Sequence, residues 1–115
     1  MLCKISDKKS PMVRYRVDIS EPAENDLRDI VRYISVSLSE PIAALNTMDS
    51  IEEAIQNLRD MPRKYPLVMD DRLAALGYRK QIVKNYIVFF TINEKHRVVD
   101  VERIFYMRRD WLHIL

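Results

Sequence analysis

From Val13 the chain alternates, with Tyr15, Val17 and Ile19 apolar and Arg14, Arg16 and Asp18 polar. That period of two predicts a strand with one buried face. After Ser20 the period changes. Ala23, Leu27, Ile30, Val31, Ile34 and Leu38 recur at spacings of three and four, and Glu24, Asp26, Arg28, Asp29 and Arg32 fall mostly elsewhere, the one-sided stripe of an amphipathic helix. A second stripe, Ile42, Leu45, Met48, Ile51, Ala54, Ile55 and Leu58, extends to Met61, and Pro62 stops it. The phrases Ser20-Glu21-Pro22 and Ser39-Glu40-Pro41 announce the two helices. Each combines a capping serine, an acid for the positive end of the helix dipole and a first-turn proline. The short join from Leu38 to Pro41 predicts an antiparallel helical hairpin.

Pro62 to Gly77 holds two prolines, the pair Asp70-Asp71 and the only glycine. It reads as a connection with one helical turn at Leu73 to Leu76 and little core. Three runs rich in Val, Ile, Phe and Tyr follow, Tyr78 to Val83, Tyr86 to Ile92 and Arg97 to Tyr106, with turns at Lys84-Asn85 and Asn93-Glu94-Lys95. The middle run is apolar on both pleat faces, as a central strand covered on both sides or facing a concave site would be. The expected fold is α+β: an N-terminal strand and a helical hairpin packed on one face of a mainly antiparallel sheet of four strands.

With 115 residues, the chain has room for one core. Residues 1–11 lack either hydrophobic period and are expected to be a mobile tail, leaving residues 12–115 as the domain. No apolar run approaches the ~20 residues that span a bilayer, and no signal peptide opens the chain, so a cytoplasmic location without membrane partners is expected. Cys3 is the single cysteine, and His96 and His113 are the only histidines. Disulfide, metal and cofactor readings are therefore dropped.

Charge alters the picture more than composition does. Met1 to Met61 sums to −3 and Pro62 to Leu115 to +5, within a net charge of +2. A basic C-terminal half suits phosphate backbones or acidic proteins. Its most informative stretch is VERIFYMRRDW, where Arg103, Arg108, Arg109 and Asp110 lie close to Tyr106 and Trp111. Arginine forks bind phosphates and carboxylates equally well. Arg103 shares a pleat face with Val99, Val101 and Phe105 in simple alternation, so it is also a candidate for a half-buried ion pair with Asp18 or Asp110. Arg79, Lys80 and Lys84 add charge along the second strand and its turn. Metal-free RNA cleavage needs a base, an acid and cations, which Lys80, Lys84, Arg103, Arg108 and His113 could supply.

The phrases YRVDISEPAENDLRDIVRYI, AIQNLRDMPRKYPLV, GYRKQIVKNYIVFFTI and VVDVERIFYMRRDW, in this order and spacing, resemble the RelE/ParE superfamily from about Arg14 to Leu112. The resemblance implies the toxin of a type II toxin-antitoxin (plasmid stabilisation) system, held by a cognate antitoxin in a hetero-oligomer. RelE-like members cleave messenger RNA on the ribosome, whereas ParE-like members inhibit DNA gyrase without nuclease chemistry. The long hairpin, MPRKYPLV and RIFYMRRDW are more similar to the ParE branch. The RelE branch implies an arginine near position 87 and a catalytic tyrosine after the last strand, yet Ile87 stands at the first and no tyrosine follows Tyr106. Tyr106 and Met107 also replace a His-Gly common before Arg-Arg-Asp in such sequences. The leading expectation is a gyrase inhibitor, with Arg79, Arg103, Tyr106, Arg108, Arg109 and Trp111 contacting target or antitoxin. The alternatives are a metal-independent ribosome-dependent endoribonuclease and an inactive homologue that only binds antitoxin.

Overall fold

A computed structural model describes residues 14–108 and Leu115; the predicted tail and the candidates Arg109, Asp110, Trp111 and His113 lie outside the described residues. In chain order the elements are β1 (Arg16–Ile19), α1 (Glu21–Arg32), α2 (Pro41–Asn57), α3 (Asp71–Ala75), β2 (Arg79–Val83), β3 (Tyr86–Asn93) and β4 (Val98–Tyr106). A π turn (Tyr33–Ser37) follows α1, and a 3₁₀ turn (Pro62–Lys64) follows α2.

The four strands run in the order β1-β4-β3-β2. β2 to β4 form an antiparallel meander, and β1 lies parallel to β4, Val17 opposite Val99. The fold is thus α+β and its sheet mixed, with one parallel pair that a hairpin connection could not make.

The two serine phrases part company. Ser20 caps α1: its Oγ accepts the Ala23 amide at 3.1 Å and its hydroxyl donates to the Glu102 carbonyl at 2.9 Å, tying the helix start to β4. Ser39 caps nothing. It sits in the left-handed region (φ 54°), and Glu40 takes the N-cap position of α2 without a side-chain hydrogen bond. The cause is the π turn, where the Leu38 amide reaches back five residues to the Tyr33 carbonyl at 3.1 Å and underwinds the exit from α1. At its far end α2 stops at Asn57 rather than Met61, leaving Met61 65% exposed.

The hairpin lays Ala23 of α1, Ile51 and Ile55 of α2, and Leu58 against Val88, Phe90, Val99, Val101 and Ile104. The expectation that residues 62–77 carry little core is overturned. Val68 and Leu73, 2% and 0% exposed, cover Ile87, Phe89 and Phe105 on the opposite face of the sheet, so α3 does not share the hairpin's side. The apolar double-faced β3 explains why. Leaving Phe89 and Phe105 uncovered would forfeit about 1.5–3 kcal/mol each, and the connection folds back to bury them. Gly77 makes that return possible at φ 88°, where the Tyr78 amide bonds the Leu73 carbonyl at 3.0 Å to close α3.

A bulge in β4 changes the simple alternation. Phe90 faces Val101 while Phe89 faces Arg103, so Glu102 is the extra residue. Val99 and Val101 therefore point to the hairpin, and Arg103 and Phe105 lie beyond the phase change, with the Arg103 guanidinium 4.6 Å from the Phe105 ring centre.

Candidate functional site

Arg79, Lys80 and Arg103, three of the cations that make the C-terminal half basic, do not converge. Arg103 is held by Asp26 of α1: Nε and Nη2 donate to the two carboxylate oxygens at 2.8 and 2.9 Å. The same carboxylate accepts the Ile104 amide at 3.0 Å. β1 ends opposite Val101, so beyond it the edge of β4 is open, and Asp26 takes the place of a neighbouring strand. The expected partner Asp18 bonds Arg16 instead, and Asp26 holds Arg103, because α1 starts directly after β1 and runs over that edge. Hydrogen bonds to Asp26 outweigh burial and hold the Arg103 guanidinium more firmly charged.

Arg79 is likewise occupied, its Nη1 donating to the Tyr65 carbonyl at 2.6 Å and the Arg63 carbonyl at 3.4 Å. It pins the 62–66 segment to β2. Lys80 points to the other face, in register with Phe89, which in turn faces Arg103. Lys80 and Arg103 are therefore two strand spacings apart, ~10 Å, with a buried ring between them.

A different group gathers at one end of the sheet. Lys84, at φ 56° in the β2–β3 turn, and the exposed Tyr106 and Arg108 meet there, and the Met107 amide donates to the Asn85 carbonyl at 2.7 Å to lock the two ends together. Tyr106 packs edge-on against Tyr86, ring centres 5.8 Å apart. Burial pushes the Tyr86 hydroxyl above its ordinary range, and the neighbouring Tyr106 and Tyr33 add to the shift. Lys84, Asn85, Tyr86 and Tyr106 form the floor of a cleft of about 660 Å³ between the sheet end and the tip of the hairpin, where Tyr33, Ile34 and Leu38 make the facing wall.

The outward face of the sheet near β1 is acidic. Asp100 alternates with the buried Val99 and Val101 and so faces away from the hairpin, in register with Asp18. Asp100 and Glu102, with Thr91 and Tyr78, line a shallow depression of about 560 Å³. Thr91 donates to the Glu102 carboxylate at 3.1 Å, and Arg16 neutralises Asp18 by a two-point bond. A phosphate backbone would meet net negative charge there.

At the other end, Glu94 accepts from Tyr15 at 3.0 Å and from Arg63 at 2.6 Å, and Arg97 lies 5.7 Å from the Tyr15 ring centre. This joins the chain before β1, the 3₁₀ turn and the β3–β4 turn.

Sequence reasoning missed Asp26, Tyr33 and Leu38 as site-builders. Asp26 did carry a signal: three residues after Ala23 and four before Ile30, it falls on the buried stripe of α1, where a carboxylate needs a partner.

The family described as "ParE toxin of type II toxin-antitoxin system, parDE" matches residues 17–111. The chain belongs to the ParE toxin family. Among solved structures, this ParE-family chain is similar to the chromosomal ParDE toxin-antitoxin system of P. aeruginosa: 17% identity over 84% of this chain and 99% of that one, TM-score 0.69. It also resembles the toxin-antitoxin complex RelBE2 of Mycobacterium tuberculosis (18% identity, 84% and 95% covered, TM-score 0.59). The archaeal RelE–RelB complex of Pyrococcus horikoshii OT3 is a third relative in fold (17% identity, 84% and 98% covered, TM-score 0.55). The search of curated proteins found no match to this chain.

Proposed function

We propose that this ParE-family toxin arrests growth by engaging DNA gyrase rather than by cutting RNA, and that a cognate antitoxin neutralises it. One observation carries the choice of target. Arg103, the strand arginine that a ribonuclease would aim at a phosphate, is bonded at two points to Asp26 and stacked on Phe105. An arginine spent on a half-buried pair offers little to a substrate, since releasing it would strand the carboxylate. The acidic surface at Asp100 and Glu102 works in the same direction. What remains for a protein target is the sheet end with Tyr106 and Arg108, residue types common at protein interfaces. Support for an antitoxin partner comes from the fold relatives, two of which are toxin-antitoxin complexes.

The test is pulse labelling of DNA and protein synthesis within minutes of inducing the chain alone, against cells that co-express the adjacent antitoxin. DNA synthesis failing first, with translation intact, is the expected result. A prompt fall in amino-acid incorporation would overturn the gyrase reading in favour of the ribosome, and no growth defect would leave a homologue that only binds antitoxin.

A further inference from the structure

One group of exposed apolar side chains gathers at the hairpin tip. Tyr33, Val36, Leu38, Ile42 and Leu45 are 50–73% exposed around the hairpin tip. From Tyr33 to Met48 the chain bears a single charge, Glu40, although 31% of all residues are charged. Clustered apolar exposure on an uncharged surface marks a contact with another molecule.

The π turn shapes this surface into a receptor. In an α-helix Tyr33 and Leu38, five residues apart, would point ~140° away from each other. The turn's extra residue instead bonds the Leu38 amide to the Tyr33 carbonyl, and both side chains line the cleft of about 660 Å³ above Tyr86 and Tyr106. π turns are uncommon and recur at functional sites. Two opposite charges flank the cleft, Asp29 on the helix wall and Lys84 on the sheet wall, and neither makes an ion pair among the described residues. The third charged lining residue, Asp26, is already committed to Arg103.

We infer that this cleft receives one large apolar or aromatic side chain of the antitoxin, bracketed by a carboxylate that meets Lys84 and a basic group that meets Asp29. This rests on the reading of the chain as an antitoxin-neutralised toxin and adds where the antitoxin anchors. The charges favour this place over the outward sheet face, where Asp100 and Glu102 would repel a segment bearing a carboxylate. A desolvated aromatic pocket with a polar rim is the geometry of an interface anchor, which sets dissociation rate and so suits a partner that must stay bound. The opposed rim charges fix the direction in which the segment crosses.

The experiment measures binding of the full chain to the protein encoded beside it, by calorimetry, for the wild type and for Leu38→Asp, Tyr33→Ala, Lys84→Glu and Met69→Asp. Thermal melts verify folding, and both Leu38 and Tyr33 are half exposed or more, so their replacement leaves the core intact. Leu38→Asp and Tyr33→Ala are expected to weaken binding about 30-fold or more, and Lys84→Glu by about tenfold with a reduced salt dependence. Met69, 89% exposed outside the cleft, is the control, and its substitution is expected to leave affinity unchanged. Unchanged affinity in Leu38→Asp and Tyr33→Ala would overturn the inference, as would an equal loss in Met69→Asp. Affinity unchanged with growth arrest abolished would assign the cleft to the toxin's target instead. A wild-type chain that does not bind the neighbouring protein at all would overturn the antitoxin reading itself, a result separate from any variant's behaviour.

Discussion

Asp26 and Arg103 stand 77 residues apart in sequence and are joined by hydrogen bonds of 2.8 and 2.9 Å. The Asp26 side chain is 10% exposed and that of Arg103 26%, so the pair is shielded enough for loss of one partner to be costly. Asp26→Ala would strand the guanidinium and orphan the Ile104 amide, for which about 3 kcal/mol is expected, a fall in Tm of roughly 10 °C for a domain this size. Urea unfolding checks it. The double variant Asp26→Ala/Arg103→Met should recover a good part of the loss, and a double variant no better than Asp26→Ala alone would show that the two do not act as a unit.

The same pair shows where sequence reading succeeded and where it stopped. Periodicity located both hairpin helices and all four strands, because burial of one face writes itself into spacing. It placed Arg103 in a half-buried ion pair but did not name Asp26, since simple alternation cannot register the bulge at Glu102 or say which element crosses an open edge. Ser20 and Ser39 stand in identical phrases, and only the first caps a helix, because the π turn that displaces Ser39 depends on how the hairpin closes rather than on local propensity. The second core was half legible: β3 declared itself apolar on both sides, but nothing in Pro62 to Gly77 announced that Val68 and Leu73 would supply the cover. Of the candidate site, the cluster at Lys84, Tyr106 and Arg108 is a consequence of strand register, which a count of charges does not contain.

The clamp at Glu94 predicts a pH dependence. Burial works to raise its carboxyl, but hydrogen bonds from Tyr15 and Arg63 and the charges of Arg63 and Arg97 outweigh it and leave Glu94 below its ordinary value. A carboxylate held lower in the folded state binds fewer protons than in the unfolded chain. Its contribution is therefore complete above the ordinary glutamate value, ~4.3, and is lost as pH falls below that. Glu94→Gln should flatten the acid limb of the stability curve: the variant is less stable than wild type at pH 7, by a small amount because the site is partly exposed, and the two converge toward pH 3. Denaturant midpoints between pH 3 and pH 7 measure it, and parallel curves for wild type and variant would refute the assignment.

Leu73 is fully buried against the ring-bearing face of β3 and β4. Leu73→Ala removes the centre of that cover, and a loss of about 2–5 kcal/mol is expected. A urea midpoint that drops with an unchanged slope would confirm that the connection is part of the cooperative unit, whereas a loss under 1 kcal/mol would mean that it is not.

Lys80 separates the two readings of the target. Its side chain stands beside the buried Phe89, in register with it, and away from the cluster at Lys84, Tyr106 and Arg108. A ribonuclease would need its charge near the scissile phosphate, and losing such a cation costs two or more orders of magnitude in rate. A gyrase inhibitor that works through the sheet end does not use it. Lys80→Gln is therefore expected to arrest growth at an inducer dose within about twofold of wild type, while Arg108→Gln requires about tenfold more, the scale of one interface arginine. The measurement is a titration of inducer against growth rate, with protein levels matched by immunoblot. Loss of arrest in Lys80→Gln with Arg108→Gln still toxic would reverse the assignment and return the phosphate chemistry to the strand face.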